Sequence, residues 1–356
     1  MSLFPASNIL LSNLIDLFLN SNKPEKDPRK KVVVIGYGWG GKSFCDKINQ
    51  TKYNVTVISK TNYMLNTPKL KNSLINDHDN LKQFPENKIN LIHEECSDIV
   101  MSRNMVKVGD KNINYDYLIL AVGSEVNDFN IKGVKENCFF LKNVEDLYKL
   151  KEKIGTLNPN SQIVILGAGA VGIELAFQMK KIFKNIQILE GADKILPMYK
   201  DQSTKIILEE LKNENIKLIL NNQVKLVDKD IITTNNSKYN YDLAIFACGI
   251  KSNPLIQKIT KDRILKVDSN LKFNENIFAI GDIVASKETG PPTAQNADQQ
   301  GKYLANYFNN DMKGNDYVYS EKGKIIHCKE NMLLETQFGS SRISNILENL
   351  IDKFIG

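Results

Sequence analysis

The chain has 356 residues, 42% hydrophobic and 25% charged, which is enough for two medium-sized domains with buried cores. Its net charge of +6 comes from lysines spread along the whole length, which describes a solvated surface and argues against nucleic-acid binding. The five cysteines are odd in number and far apart and the three histidines show no ligand spacing, which argues against a disulfide framework and a structural metal.

In chain order, residues 9–19 are apolar, with Leu11, Leu14, Ile15 and Phe18 at helical spacing, so a short amphipathic helix is predicted there. It lacks a basic start, and the first arginine is Arg29, so it makes a poor secretory signal or mitochondrial presequence. It suits packing on the body or on a second subunit, or resting on a membrane surface. No stretch approaches the length of a transmembrane helix. A charged, proline-bearing linker at 24–31 leads to a buried strand at 32–35. That strand ends in Gly36-Tyr37-Gly38-Trp39-Gly40-Gly41. A helix over 42–49 and a strand over 55–59 follow, the βαβ opening of a dinucleotide-binding unit. Residues 115–123 form another buried strand, from Tyr115-Asp116 to Gly123.

The plan then repeats. A helix over 145–154 and a turn at 159–162 lead to a second βαβ unit that starts at Ile163. It turns through Gly167-Ala168-Gly169-Ala170-Val171-Gly172 and ends its second strand at Glu190. Residues 241–249 match 115–123, from Tyr241-Asp242 to Gly249. We read this as an internal duplication of fold with little sequence identity. Residues 277–282, a helix over 294–308, a short hairpin around Gly323 and a final amphipathic helix complete the chain. In that helix Ile343, Ile346, Leu347, Leu350, Ile351, Phe354 and Ile355 share one face, suited to the body, a dimer or a membrane.

The G-x-G-x-x-G turn has a physical logic. The first glycine allows the tight turn, the second lets a diphosphate approach the backbone, and the third lets helix and strand pack closely. The helix N-terminus then favours the anion. Two such turns imply two dinucleotides held against each other, an arrangement for moving electrons. Ribose specificity is read at the end of the second strand. Glu190 stands there in the second unit and can accept both ribose hydroxyls while repelling a 2′-phosphate, which favours NADH over NADPH. Ser59 stands there in the first unit and is a weaker signature, so by position alone that unit takes FAD or NAD.

On these residues the chain resembles the flavoprotein superfamily with two dinucleotide-binding domains. Within it the chain is similar to the type II NADH dehydrogenases, the non-proton-pumping NADH:quinone oxidoreductases. Four stretches carry the resemblance: 36–41 with Trp39; 59–68, from Ser59 through Thr67 and Pro68; 277–282, ending in Asp282; and 291–301, similar to the family's A-Q-x-A-x-Q motif beside flavin and quinone.

The resemblance implies an α/β fold of two Rossmann-like dinucleotide-binding domains. It implies an FAD domain over 31–142 and 262–318, an NADH domain inserted at 143–261, and a short C-terminal extension over 319–356 that follows the N-terminal helix and linker of 1–30 in chain order. It implies tightly bound, non-covalent FAD, with NADH as substrate. Gly36, Gly38, Trp39, Gly40 and Gly41 would hold FAD at the turn, with Ser59, Lys60, Ala121 and Gly123 nearby and Asp282 at the ribitol or pyrophosphate. Thr67 and Pro68 would lie near the isoalloxazine, with Ala294 and Gln295 at its pyrimidine end. Gln295 and Gln299 would border the quinone. NADH would lie on Gly167, Gly169, Ala170, Val171, Gly172, Glu190 and Gly249, with Glu174 helping to position the nicotinamide. As bare residues, Asp282 also reads as a helix N-cap, and Gln295 and Gln299 as exposed polar residues one turn apart.

Many relatives pass electrons to a cysteine pair near the first helix. Only Cys45 is present there, so electrons must leave the flavin directly, to a quinone, to oxygen or to a protein partner. Val122 and Cys248 stand where the superfamily usually has threonine, and Asp298 puts a charge beside the expected quinone entrance. The reading is an FAD-dependent NADH:quinone oxidoreductase that pumps no protons, cytoplasmic or peripheral on a membrane such as the mitochondrial inner membrane, with homodimerisation left open. Its rivals are a soluble NADH oxidase or diaphorase of the apoptosis-inducing-factor-like or ferroptosis-suppressor-like kind, and a non-catalytic NADH-responsive sensor or scaffold.

Overall fold

Two parallel sheets of the same strand order carry the chain. The structure, a computed structural model, describes residues 27–75, 81–85, 89–329 and 331–344. In the first sheet β1 (Lys30–Ile35) runs through the glycine turn into α1 (Trp39–Lys47), and β2 (Tyr53–Ser59) returns parallel to β1. Outside β2 lies β3 (Asn90–His93). An antiparallel meander follows, β4 (Cys96–Val100), β5 (Met105–Val108) and β6 (Lys111–Asn114), before β7 (Tyr117–Leu120) pairs with the other edge of β1. Every residue from Val32 to Ile35 is buried, as expected for a parallel strand covered on both faces.

The chain leaves through β8 (Ser124–Val126) and α2 (Val144–Gly155), whose Asn143–Asp146 capping box fixes its start. The second sheet repeats the first. It contains β9 (Gln162–Leu166), α3 (Ala170–Lys180), β10 (Asn185–Leu189), α4 (Asp201–Asn213) and β11 (Lys217–Ile219). Then come a second meander, β12 (Val224–Val227), β13 (Ile231–Thr234) and β14 (Lys238–Asn240), and the returning strand β15 (Leu243–Phe246). The orders match, β3-β2-β1-β7 against β11-β10-β9-β15, so the duplication extends to the meanders. The repeated Tyr-Asp pairs do the same work in both units. Asp116 accepts from the Lys31 amide and donates its own amide to the Lys31 carbonyl, and Asp242 does both with Gln162. Each aspartate thus clamps the start of a central strand.

The return crossing is β16 (Ile250–Ser252), antiparallel to β8. The chain changes core at this pair: Val134 and Cys138 pack with the second sheet, Leu255 and Ile256 with the first. β17 (Ile277–Ala279) completes the first sheet beside β7, and α5 (Ala294–Asn309) packs on α1. That crossing is close because small residues face each other. A Cβ on Gly301 would strike the Gly40 carbonyl and the Phe44 amide. Phe308, fully buried, anchors the other end against Phe44, Tyr53, Tyr117 and Phe278.

The C-terminal region differs from expectation. Gly323 leads into β18 (Lys324–His327), which forms a three-stranded antiparallel sheet with β19 (Asn331–Thr336) and β20 (Gly339–Ser344). Ile343 therefore lies in a strand, opposite Met332, and not in a helix. The edge of β19 offers unpaired backbone groups that residues 339–344 satisfy, and this overrides the helical spacing. The remainder of that expected helix and the N-terminal helix over 9–19 lie outside the described residues. The sheet docks on α4: Ser203 donates to the buried carboxylate of Glu335 at 2.5 Å, and Arg342 pairs with Glu209 and Glu210.

Phe308→Ala should lower stability by about 3–5 kcal/mol, the range for emptying a buried aromatic site. Urea unfolding of purified protein measures it, and a loss below about 1 kcal/mol would mean that the aromatic cluster does not hold α5 on the sheet.

Candidate functional site

Both glycine turns follow from the carboxyl ends of β1 and β9. Gly36 and Gly167 have φ of +102° and +105°, which disfavours any residue with a Cβ. A Cβ on Gly36 would collide with the Ala121 carbonyl, and one on Gly41 with the Gly36 carbonyl. Gly167 and Gly172 stand identically against Ala247 and Gly167. The middle glycines differ. A Cβ on Gly38 or Gly169 would meet nothing within 4 Å. The first and third glycines are thus required by the fold itself, whereas the second keeps room for something outside it. Gly38 and Gly169 are also the N-caps of α1 and α3, and neither helix has a side-chain cap. Open space beside uncapped helix N–H groups, in each unit, fits a dinucleotide diphosphate.

A cleft of about 870 Å³ lies between the units. From the first unit it receives Gly36, Gly38, Trp39 and Gly40, then Ser59, Lys60, Thr67 and Pro68, and then Ala121, Gly123, Asp282 and Ala294. From the second it receives Ala170, Val171, Glu174 and Gly249. Seven expected site residues stay off its wall. Gly41, Gly167, Gly169 and Gly172 belong to the turns but do not line it. Gln295 and Gln299 face another way. Glu190 is also off the cleft; its carboxylate accepts from the Ala168 amide at 2.7 Å and the Ala192 amide at 2.9 Å. Those bonds aim it beside the second turn.

Glu174 is the most buried charge in the cleft wall, 3% exposed. One oxygen accepts from the Lys71 ammonium at 2.6 Å; the other accepts from the His327 amide at 3.0 Å and lies 3.0 Å from His327 Nδ1. Burial alone would raise its carboxyl, but Lys71 and His327 outweigh burial and hold it below the usual glutamate range. Three distant segments meet here: the loop after Pro68, α3 and the C-terminal sheet. Across the cleft, Lys142 donates to Ser124 Oγ at 3.2 Å, and Ser124 donates to Asp282 at 2.5 Å. Asp282 caps no helix, since the short turn of helix it enters has Ile280 as its cap. Trp39 Nε1 reaches Thr67 Oγ1 at 3.3 Å, and Lys60 pairs with Glu95 at 2.8 Å.

The polar face of α5 divides differently from the sequence reading. Gln299 exchanges two hydrogen bonds with the backbone of Ser320, and Gln295 accepts from Tyr319 Oη and the Lys322 amide. Both hold the 319–322 segment against the helix. The fully buried residues are Asn296 and Gln300. Gln300 accepts from the Gly281 amide at 2.6 Å and donates to Thr289 O, so it fixes the Asp282 turn. Helical spacing with Ala297, Gly301 and Leu304 could have placed Asn296 and Gln300 inside. Asp298 accepts from Ser43 of α1 and pairs with Lys302 one turn along α5, and it does not line the cleft. Lys71, Lys142 and His327 carried no local signal; only contacts distant in sequence place them. Cys45 is buried, which pushes its thiol up, and it has no cysteine neighbour among the described residues.

The pyridine nucleotide-disulphide oxidoreductase family matches residues 30–301. The chain belongs to this family. It is 29% identical to a probable NADH dehydrogenase of Dictyostelium discoideum over 87% of this chain and 81% of that protein. It is also 29% identical to the external alternative NAD(P)H-ubiquinone oxidoreductase B3, mitochondrial, of Arabidopsis thaliana, over 77% of this chain. The chain spans only 58% of that plant protein's length. Among solved structures it resembles Plasmodium falciparum NDH2 in complex with NADH, with a TM-score of 0.83 and 23% identity, over 92% of this chain and 95% of that one. This fold likeness agrees with the two parallel-sheet units.

Two expectations follow. Gly41→Ala should destabilise flavin-free protein, while Gly38→Ala should leave its melting temperature unchanged and weaken dinucleotide binding. Equal melting losses for both would remove the distinction. The depressed Glu174 carboxyl stabilises the fold above the ordinary glutamate range, and that contribution is lost as pH falls through its folded pKa. Glu174→Gln should therefore flatten the acid limb of the melting profile, and Lys71→Met should cost about 3–5 kcal/mol at neutral pH. An acid limb as steep as wild type in Glu174→Gln would refute the linkage.

Proposed function

We propose that the chain is an FAD-dependent NADH:quinone oxidoreductase that pumps no protons. The observation that carries this reading is that the starts of both turn helices, Gly38-Trp39 and Ala170-Val171, open on one cleft. The similar proteins named NADH-ubiquinone oxidoreductases support it. In this reading the first sheet with α1 and α5 is the FAD unit, and the second sheet with α3 and α4 is the NADH unit. The chemistry bound flavin supplies is acceptance of a hydride from the nicotinamide and delivery of two electrons to a quinone.

The chain's own residues bind and orient. The turn at Gly36, Gly38 and Gly41 with the start of α1 holds the FAD diphosphate, and Asp282 binds the ribitol or diphosphate region. Thr67, Pro68 and Ala294 line the isoalloxazine end. The turn at Gly167, Gly169 and Gly172 holds the NADH diphosphate, Glu190 takes the adenosine ribose, and Glu174 with Gly249 positions the nicotinamide. Gln295 and Gln299 border the quinone entry by holding the 319–322 segment. Since the only cysteine near the first helix is the buried Cys45, no dithiol carries electrons onward. The word mitochondrial in the relatives' names supports a peripheral place on a membrane such as the mitochondrial inner membrane, through the apolar terminal sequences, with homodimerisation as a further use of them.

Anaerobic titration with NADH should bleach the flavin absorption band stoichiometrically. Aerobic turnover should then depend on an added ubiquinone analogue. A flavin that stays oxidised would overturn the dehydrogenase reading, and equal turnover with oxygen alone would make the enzyme an oxidase.

A further inference from the structure

The cleft is lined by three lysines, and they are not equivalent. Lys60 is paired with Glu95 at 2.8 Å, and Lys71 with Glu174 at 2.6 Å. Lys142 forms no ion pair among the described residues, and the only hydrogen bond its ammonium makes with them is to Ser124 Oγ. Ser124 in turn donates to Asp282, whose carboxylate makes no other hydrogen bond among the described residues. The three side chains are rigidly mounted. The Lys142 amide donates to Asp146 in the capping box of α2. Ser124 sits in β8, paired with Ser252 of β16. The turn carrying Asp282 is held through Gly281 by the buried Gln300.

This arrangement poses an electrostatic problem and answers it. Asp282 brings a carboxylate into a cleft whose proposed occupant carries a diphosphate. A bound flavin that took a hydride from the nicotinamide would gain a further negative charge and leave the nicotinamide as a cation. Two like charges in a partly dry cleft repel strongly unless a cation offsets them. Lys142 is the cleft cation with charge and donors to spare, since an ammonium carries three donors and only one is engaged.

We propose that Lys142 is a positioning residue for the flavin dinucleotide: acting through Ser124, it offsets and orients the Asp282 carboxylate beside the bound anion. The inference rests on the flavoprotein reading above and goes beyond it in naming Lys142 and Ser124. The ligand chemistry is the anionic part of the bound flavin, and two sources are separable, the diphosphate and the reduced ring.

The experiment compares wild type, Lys142→Met, Lys142→Arg, Ser124→Ala and the double variant Lys142→Met/Ser124→Ala. Each is stripped of flavin, retitrated with FAD by fluorescence quenching, and its flavin midpoint potential measured against a reference dye. Lys142→Met should weaken FAD binding by about ten- to a hundredfold, the factor for a lost charge-assisted hydrogen bond, or lower the midpoint potential. Weaker binding at constant potential assigns the charge to the diphosphate; a lower potential assigns it to the reduced ring. Lys142→Arg should recover most of either effect. Because Lys142 acts through Ser124, the double variant should match Lys142→Met and not add to it. Wild-type affinity and potential in Lys142→Met would overturn the inference, as would full additivity of the two substitutions. Failure of wild type itself to take up FAD would instead overturn the flavoprotein reading.

Discussion

Everything in this fold depends on one close backbone contact, made twice. The third glycine of each turn lies against the carbonyl of the first, and the first lies against the strand that returns beside it, at Ala121 and Ala247. No side chain fits in either place. The contact sets the angle at which α1 leaves β1 and α3 leaves β9. It therefore fixes where both helix N-termini point. It also leaves the middle glycine, at Gly38 and Gly169, with open space in front of it. A site for an anion is thus a by-product of the tightest packing in the chain. The same economy of side chains recurs at Gly301, which lets α5 cross α1 closely enough to bring Ala294 and Ala297 to the cleft.

The cleft between the units is held by packing and by polar contacts, with Leu70 and Leu74 buried against the helix of the second unit. Glu174 ties the loop after Pro68 and the C-terminal sheet to the helix of the second unit. Its burial is tolerable because Lys71 and two groups of His327 converge on it, and removing Lys71 leaves a buried charge without its ammonium partner. The C-terminal sheet is anchored separately, through Glu335 to Ser203 and through Arg342 to α4. The sheet thus belongs to the second unit and meets the cleft-lining Glu174 through His327. On the opposite wall the chain Lys142–Ser124–Asp282 spans the crossing strands. The strands that carry the chain from one unit to the other are therefore also part of the site.

The helix after Thr293 shows how one motif serves two tasks. Asn296 and Gln300 turn inward and stabilise the turns at Pro291 and Gly281, while Gln295 and Gln299 turn outward and hold the 319–322 segment. The inward pair shapes the floor of the cleft; the outward pair shapes its approach. Asp298, on the flank between them, is taken up by Ser43 and Lys302 and does not line the cleft.

The local pattern of the sequence was enough for both glycine turns, the buried strands at 32–35 and 163–166, the long helix from Ala294 and the duplicated plan. Each depends on neighbours two to four residues apart, where periodicity and glycine stereochemistry act. It was also enough to remove a dithiol relay, since only Cys45 stands near the first helix. The start of α1 was read three residues late, because Gly40 and Gly41 look like loop yet adopt helix to bring the turn close. The strand at Ile343 was read as helix, because its partner β19 is not visible in its own spacing. Lys71, Lys142 and His327 were missed for a related reason. A lysine or histidine in a loop carries no mark of what it will face. Glu174 meets Lys71 and His327 only after both sheets, the loop after Pro68 and the C-terminal strands have packed. Which charges are paired, and which are left to face the cleft, was therefore decided by tertiary structure alone.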